Sequence, residues 1–139
     1  MGSYSRSRCR ELALQVLYQA EFAGQRREED LVRFWEHFQK PHRVPRYLKD
    51  LVLGVATHLE ELDSLIVRYS EHWRLERMVA VDRNLMRLAI YELLYQPGIP
   101  AKVVINEAVE LAKKYGTEVS GAFVNGILDK VRVEVGREG

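Results

Sequence analysis

Apolar positions recur along this chain every three or four residues, the spacing of one face of a helix, and nowhere do they alternate long enough to build a strand. Cys9, Leu12, Ala13, Val16, Leu17 and Ala20 form a first stripe, with Gly24 placed to stop it. Leu31, Phe34, Trp35 and Phe38 form a second, closed by Pro41. After Pro45 comes a long third stripe of Leu48, Leu51, Val52, Val55, Leu59 and Leu62. Asp63 and Ser64 are placed to cap a short fourth helix carrying Leu65, Ile66 and Tyr69. A fifth helix begins between Met78 and Asp82 and runs to Tyr95, where Pro97-Gly98 ends it. The sixth carries Val104, Ala108, Leu111, Ala112 and Tyr115, with Gly116 just past its end. The seventh carries Val124, Ile127, Leu128, Val131 and Val135. The pattern predicts an all-α chain of about seven helices, with no repeat and no low-complexity segment.

The fifth helix breaks the usual division into a dry and a wet face. At about 100° per residue, Val81, Leu85, Met86, Leu88, Ala89, Ile90, Leu93 and Leu94 cover well over half of its girth. Arg83, Asn84, Arg87, Tyr91 and Tyr95 are left to mark a wet side. A helix so apolar is either central to the fold or covered along one flank by a partner, and the two readings are compatible. Glu92 falls inside the apolar arc. A carboxylate there must be paired or hydrogen-bonded, and the expectation is that it accepts backbone N–H groups at the start of a neighbouring helix.

Composition narrows the class. With 139 residues, 47% of them hydrophobic and 29% charged, the chain can bury an ordinary core as one domain or as two small helical subdomains that share it. Cys9 is the only cysteine, so no internal disulfide and no thiolate metal cluster can form; a reducing, cytoplasmic setting fits. No apolar run has the length of a membrane span or a signal-peptide core. The start Met1-Gly2-Ser3-Tyr4-Ser5-Arg6 resembles a myristoylation signal but places Arg6 where that motif needs Ser or Thr. His37, His42, His58 and His72 lack metal-ligand spacing with one another or with Cys9. There is no glycine-rich phosphate loop, nucleophile elbow or Cys–His pairing, and neither catalysis nor a cofactor is expected.

Binding is better supported. The net charge of +1 does not announce a nucleic-acid partner, but its distribution does, because Arg6, Arg8 and Arg10 precede the first acid, Glu11. They are candidate phosphate contacts, or alternatively a solvated terminus. Tyr18 lies with Glu11, Gln15 and Phe22 opposite the apolar stripe, flanked by Arg8 and Gln19. An aromatic so placed either stacks on a base or packs against another helix. Phe123 sits at the border of the seventh stripe beside Lys130, with Gly126 on the same flank. A border phenylalanine is ordinarily core, and here it is also a second candidate stacking surface.

Three blocks of residues carry a resemblance. The start Arg8-Cys9-Arg10-Glu11-Leu12-Ala13-Leu14-Gln15-Val16-Leu17-Tyr18-Gln19, the middle Val81-Asp82-Arg83-Asn84 to Tyr91-Glu92-Leu93, and the run from Ile99-Pro100 through Ile105-Asn106-Glu107-Ala108 to Tyr115-Gly116 and Phe123-Val124-Asn125-Gly126-Ile127-Leu128-Asp129 are similar to the NusB transcription-antitermination family. They occur in the family's order and spacing from about residue 6 to residue 131. The resemblance implies seven helices in two three-helix subdomains of one NusB-like domain, at residues 1–64 and 65–139. It implies binding of single-stranded boxA RNA in ribosomal RNA leaders, jointly with the small-subunit ribosomal protein that acts as NusE. In that role the pair serves the RNA polymerase antitermination complex, and some family members form homodimers. It places RNA contacts at Arg6, Arg8, Arg10, Tyr18, Tyr69 and Phe123, and a NusE contact at Asp82. Ser7, Cys9 and Val119 depart from the family's more polar or basic usage. NusB-like domains also occur fused to ribosomal RNA methyltransferases. That reading needs a dinucleotide-type α/β domain, which these residues do not contain. A helical protein-interaction module or homodimer without an RNA role is the other alternative.

Overall fold

A computed structural model describes residues 4–38, 44–71 and 73–138. Pro41, His42 and His72 lie outside the described residues. Among those described there are seven α-helices and no strand: α1 (Arg6–Phe22), α2 (Glu28–Phe38), α3 (Arg46–Thr57), α4 (Leu59–Tyr69), α5 (Ala80–Tyr95), α6 (Ala101–Tyr115) and α7 (Ser120–Glu134). A short 3-10 turn, Leu75–Arg77, leads into α5.

The ends of these helices follow local chemistry. The Ser5 hydroxyl accepts the Arg8 N–H at 3.0 Å and caps α1. At the other end Gly24 takes φ +82°, a conformation that favours glycine. Gly24 N–H then donates to Glu21 C=O at 2.9 Å and Gln25 N–H to Ala20 C=O at 2.8 Å. This pair of bonds is the Schellman closure, which satisfies carbonyls the helix leaves free. Glu28, Glu29 and Asp30 occupy the first turn of α2, where the helix dipole favours negative charge. Pro45 and Pro100 stand immediately before α3 and α6, where their missing N–H costs nothing.

One boundary departs from the periodic reading. The third stripe runs on to Leu62, yet the chain turns at His58 (φ −111°, ψ 21°) and α4 starts at Leu59. The apolar period survives the turn, so a helical wheel cannot register it. Asp63 is therefore mid-helix rather than a cap. Its carboxylate receives Arg87 Nε at 2.7 Å and Nη2 at 3.0 Å. Helix α4 also runs unbroken across residue 64 and packs on α5 and α7.

The core centres on α5, which touches α1, α3, α4, α6 and α7. Leu85, Met86, Leu88, Ala89, Ile90 and Leu93 are buried. So are Arg83, Asn84 and Arg87, residues expected on a wet side. They are dry because acids from other helices reach them. Glu21 accepts from Arg83 Nε at 2.8 Å and from Asn84 Nδ2 at 2.9 Å, and Asp63 pairs with Arg87. A buried charge is tolerable only when paired and hydrogen-bonded in this way. Arg83 Nη1 also donates to the carbonyls of Leu75 at 2.8 Å and Met78 at 2.7 Å, which ties the 3-10 turn to the head of α5.

Candidate nucleic-acid interface

The three N-terminal arginines have three different fates. Arg6 is exposed, with its guanidinium 5.4 Å from the centroid of the Tyr47 ring. Arg8 is exposed and pairs through Nη1 with Glu11 Oε1 at 2.8 Å. Arg10 is only 5% exposed. Its Nε and Nη2 bind Glu92 Oε1 at 2.8 Å and Oε2 at 3.0 Å, and its Nη1 binds Glu107 at 3.0 Å. Three guanidinium nitrogens spent on Glu92 and Glu107 leave little for a phosphate, so the sequence-based expectation for Arg10 does not carry over. A wheel drawn on α1 alone places Arg10 outside the apolar stripe; the acids that draw it inward come from α5 and α6. The same contact corrects the reading of Glu92. It is buried as expected, but its acceptors face Arg10 and the Tyr47 hydroxyl rather than backbone N–H groups.

Tyr18 is 42% exposed and shares its side of α1 with exposed Gln15 and Phe22. Beside it lies an open cleft of about 230 Å³, lined by Leu14, Gln15, Tyr18, Val81 and Tyr115. At the rim, Glu11 accepts from Arg8 at 2.8 Å, from Lys114 Nζ at 2.8 Å and from the Tyr115 hydroxyl. Hydrogen bonds from Lys114, then Tyr115 and Arg8, hold the Glu11 carboxyl down at about 2. Tyr115 was expected on the core stripe of α6. It is instead 40% exposed at the last residue of the helix, with its hydroxyl bonded to Glu11 on α1.

Phe123 is half-buried in the first turn of α7, and its ring meets the edge of Trp73 at 6.1 Å with the planes 71° apart. Trp73, 55% exposed, was not singled out from the sequence, since it falls between periodic segments. Both rings line a groove of about 410 Å³ with Arg77, Val79, Asp82 and Val119. Asp82 is 4% exposed, and its Oδ1 has no hydrogen-bond partner. Burial pushes the Asp82 carboxyl above its ordinary value, an effect the Ser120 hydroxyl partly opposes. Tyr69 stands elsewhere. It is half-buried in the last turn of α4, and its hydroxyl donates to Glu134, at the end of α7 opposite Phe123.

Val81 belongs to the first cleft and Val79 and Asp82 to the second, so Tyr18, Asp82 and Phe123 gather around the start of α5. No group of three or more metal-ligating side chains occurs among the described residues, and no described helix is long and apolar enough to cross a membrane. What the fold assembles is a surface of half-exposed aromatics and cations, with a buried carboxylate that has one unbonded oxygen, on an all-helical core. The NusB family model matches residues 7–132, and the chain belongs to the NusB family. It is 54% identical over 127 residues to the transcription antitermination protein NusB of Anaeromyxobacter dehalogenans, covering 91% of this chain and 89% of that one. Its fold is similar to that of T. maritima NusB, with TM-score 0.83 and 42% identity, covering 96% of this chain and 94% of the other. It is also similar to a chain from a crystal structure of the antitermination factors NusB and NusE with double-stranded RNA, with TM-score 0.74 and 32% identity, covering 93% and 96%.

Proposed function

We propose that this chain is a cytoplasmic transcription antitermination factor that acts by scaffolding. It binds boxA-type single-stranded RNA of ribosomal RNA leaders together with the small-subunit ribosomal protein serving as NusE, and the pair helps RNA polymerase read through terminators. The observation that carries this reading is the gathering of Tyr18, Asp82 and Phe123 around the start of α5 in a chain of the NusB family. Arg6 and Arg8 supply charge to phosphates. Tyr18, Phe123 and, on the α4–α7 seam, Tyr69 supply ring faces to unstacked bases, the usual mode for single-stranded RNA. Arg10 supports this face from below, by clamping the first turns of α1 to α5 and α6. Asp82 Oδ1 has no donor among the described residues and takes one from the protein partner.

The test is RNA binding measured with and without the partner, by fluorescence anisotropy over a salt series. The expected result is tighter binding with the partner present. Each phosphate contact removed, as in Arg8→Ala, lowers the log–log salt slope by roughly 0.7. RNA binding absent in both conditions would leave the protein-only module or homodimer. That second reading has one observation in its favour, the nearly full exposure of Phe22 beside the Tyr18 face. Light scattering of the free protein decides whether copies pair there.

A further inference from the structure

The wet side expected for α5 survives only at its C-terminal end. Arg83, Asn84 and Arg87 are drawn into the core, whereas Tyr91 is half-buried and Tyr95 is 39% exposed. The centroids of these two rings stand 5.5 Å apart, with the planes tilted by 31°. His58, at the turn between α3 and α4, completes a triangle: its ring stacks on Tyr95 at 4.1 Å and lies 6.1 Å from Tyr91. Gly54 lets the Tyr91 ring close against α3, since a Cβ there would overlap it. The Tyr95 hydroxyl donates to Glu61 Oε1 at 2.6 Å, and His58 Nδ1 is 3.6 Å from the same oxygen. Three helices therefore fix the three rings before any ligand arrives. The surroundings are acidic. Glu60 and Glu61, both exposed, occupy the first turn of α4. Burial pushes the Tyr91 phenol up and the Gln96 side chain opposes it; the charge of Asp50 adds to the rise, so that carboxylate is in electrostatic reach of the ring. Among the described residues no lysine or arginine lies within ion-pair distance of Asp50, Glu60 or Glu61. Lys49 precedes Asp50 but is turned about 100° away from it round α3.

We propose that this aromatic and acidic pole is a docking surface for an arginine in a basic segment of a protein partner, apart from both clefts at the start of α5. The guanidinium lies on the exposed part of the Tyr95 ring and donates to Glu61, and Asp50 attracts the basic residues that flank it. Ring faces attract cations through their quadrupole, and a planar guanidinium both stacks on a ring and matches a carboxylate with two N–H groups. Single-stranded RNA would bring phosphates against Asp50, Glu60 and Glu61 with no cation to receive them. An apolar anchor would strip water from the carboxylates without pairing them. Asp82 and Tyr95 stand about 20 Å apart along α5, at 1.5 Å per residue. The pole is therefore free while the other end of α5 is occupied, and the inference does not depend on the RNA-binding reading.

The experiment titrates the full chain, labelled with nitrogen-15, with an acetylated and amidated Gly-Arg-Gly-Arg-Gly peptide and follows the backbone amide shifts. A second peptide carries citrulline, the neutral isostere, in place of each arginine. The titration runs to about 10 mM, enough to fill a site of about 1 mM affinity. The arginine peptide should give saturable shifts confined to the end of α3, the first turn of α4 and the last turns of α5, and the citrulline peptide should give none. Tyr95→Leu should weaken binding by about 2- to 30-fold, the range of one cation–π contact. Tyr95→Phe keeps the ring and should bind nearly as the parent does. Glu61→Gln should weaken binding and reduce its dependence on salt. Because His58 stacks on Tyr95, circular dichroism checks the Tyr95→Leu fold, and Glu61→Gln repeats the test on an exposed side chain outside the stack. Four results would each overturn the proposal: equal shifts from the citrulline peptide, shifts scattered over the surface without saturation, affinity unchanged in both Tyr95→Leu and Glu61→Gln, or the same amides moved by a single-stranded RNA oligonucleotide instead of the arginine peptide.

Discussion

Arg10 and Asp82 are both buried, and they differ in how fully their polar atoms are bonded within the chain. Arg10 has Glu92 and Glu107. Removing one member of a buried pair strands the other, at a cost of about 3–5 kcal/mol. Arg10→Ala should therefore lower stability by that order in urea unfolding, while the salt slope of RNA binding by the folded variant stays at the parent's value. A reduced slope with unchanged stability would return Arg10 to the phosphate contacts. Asp82 has no partner on Oδ1, and its folded pKa is raised. The sign follows from linkage: the folded state holds the proton more tightly, so a penalty appears as pH rises through the raised pKa and is absent below the unfolded value. Asp82→Asn should stabilise the free protein at neutral pH and weaken capture of the protein partner. A melting temperature below the parent's would show that the carboxylate is satisfied in the free chain.

At the scale of elements, two junctions hold the helices that carry the proposed face. The α1–α6 junction depends on Glu11, which gathers Arg8, Lys114 and Tyr115. Its carboxyl is lowered from 4.5 to about 2, so its contribution is fully present above the unfolded value and is lost as pH falls from about 4.5 through 2. Melting curves of the parent and Glu11→Gln should differ at neutral pH and converge toward pH 2. The α3–α5 crossing depends on Gly54, where an added Cβ would overlap the Tyr91 ring. Gly54→Ala should destabilise by about 1–3 kcal/mol, as overpacking does. Adding Tyr91→Ala should recover part of that loss. Additive losses in the double variant would refute the close approach as the cause.

For the molecule as a whole, α5 is the mast to which the other helices attach. Both clefts open at its first turn, and the network of Glu21, Arg83, Asn84, Arg87 and Asp63 runs along its flank. Helix α5 should open only with the global unfolding of the chain. Its mid-helix amides, from Leu85 to Ile90, should show the slowest hydrogen exchange in the protein. Exchange there as fast as in α2, which buries only Leu31 and Trp35, would remove α5 from the centre.

The sequence by itself determined the class of fold, because helical period is a local property that each segment carries alone. It also determined the stop at Gly24, the central place of α5 and the outward stance of Tyr18, all of which follow from wheel and cap arithmetic. The tertiary structure decided what depends on residues distant in the chain. Arg10 moved from solvent to core because Glu92 and Glu107 come to it from 82 and 97 positions away. Arg83 and Arg87 became dry because Glu21 and Asp63 arrive on other helices. The turn at His58 leaves the apolar period intact, so only packing reveals it. Tyr115 carries the pattern of a core residue, and Trp73 has no periodic context. Both became parts of clefts because a surface is made by where helices end relative to one another, and no single segment encodes that.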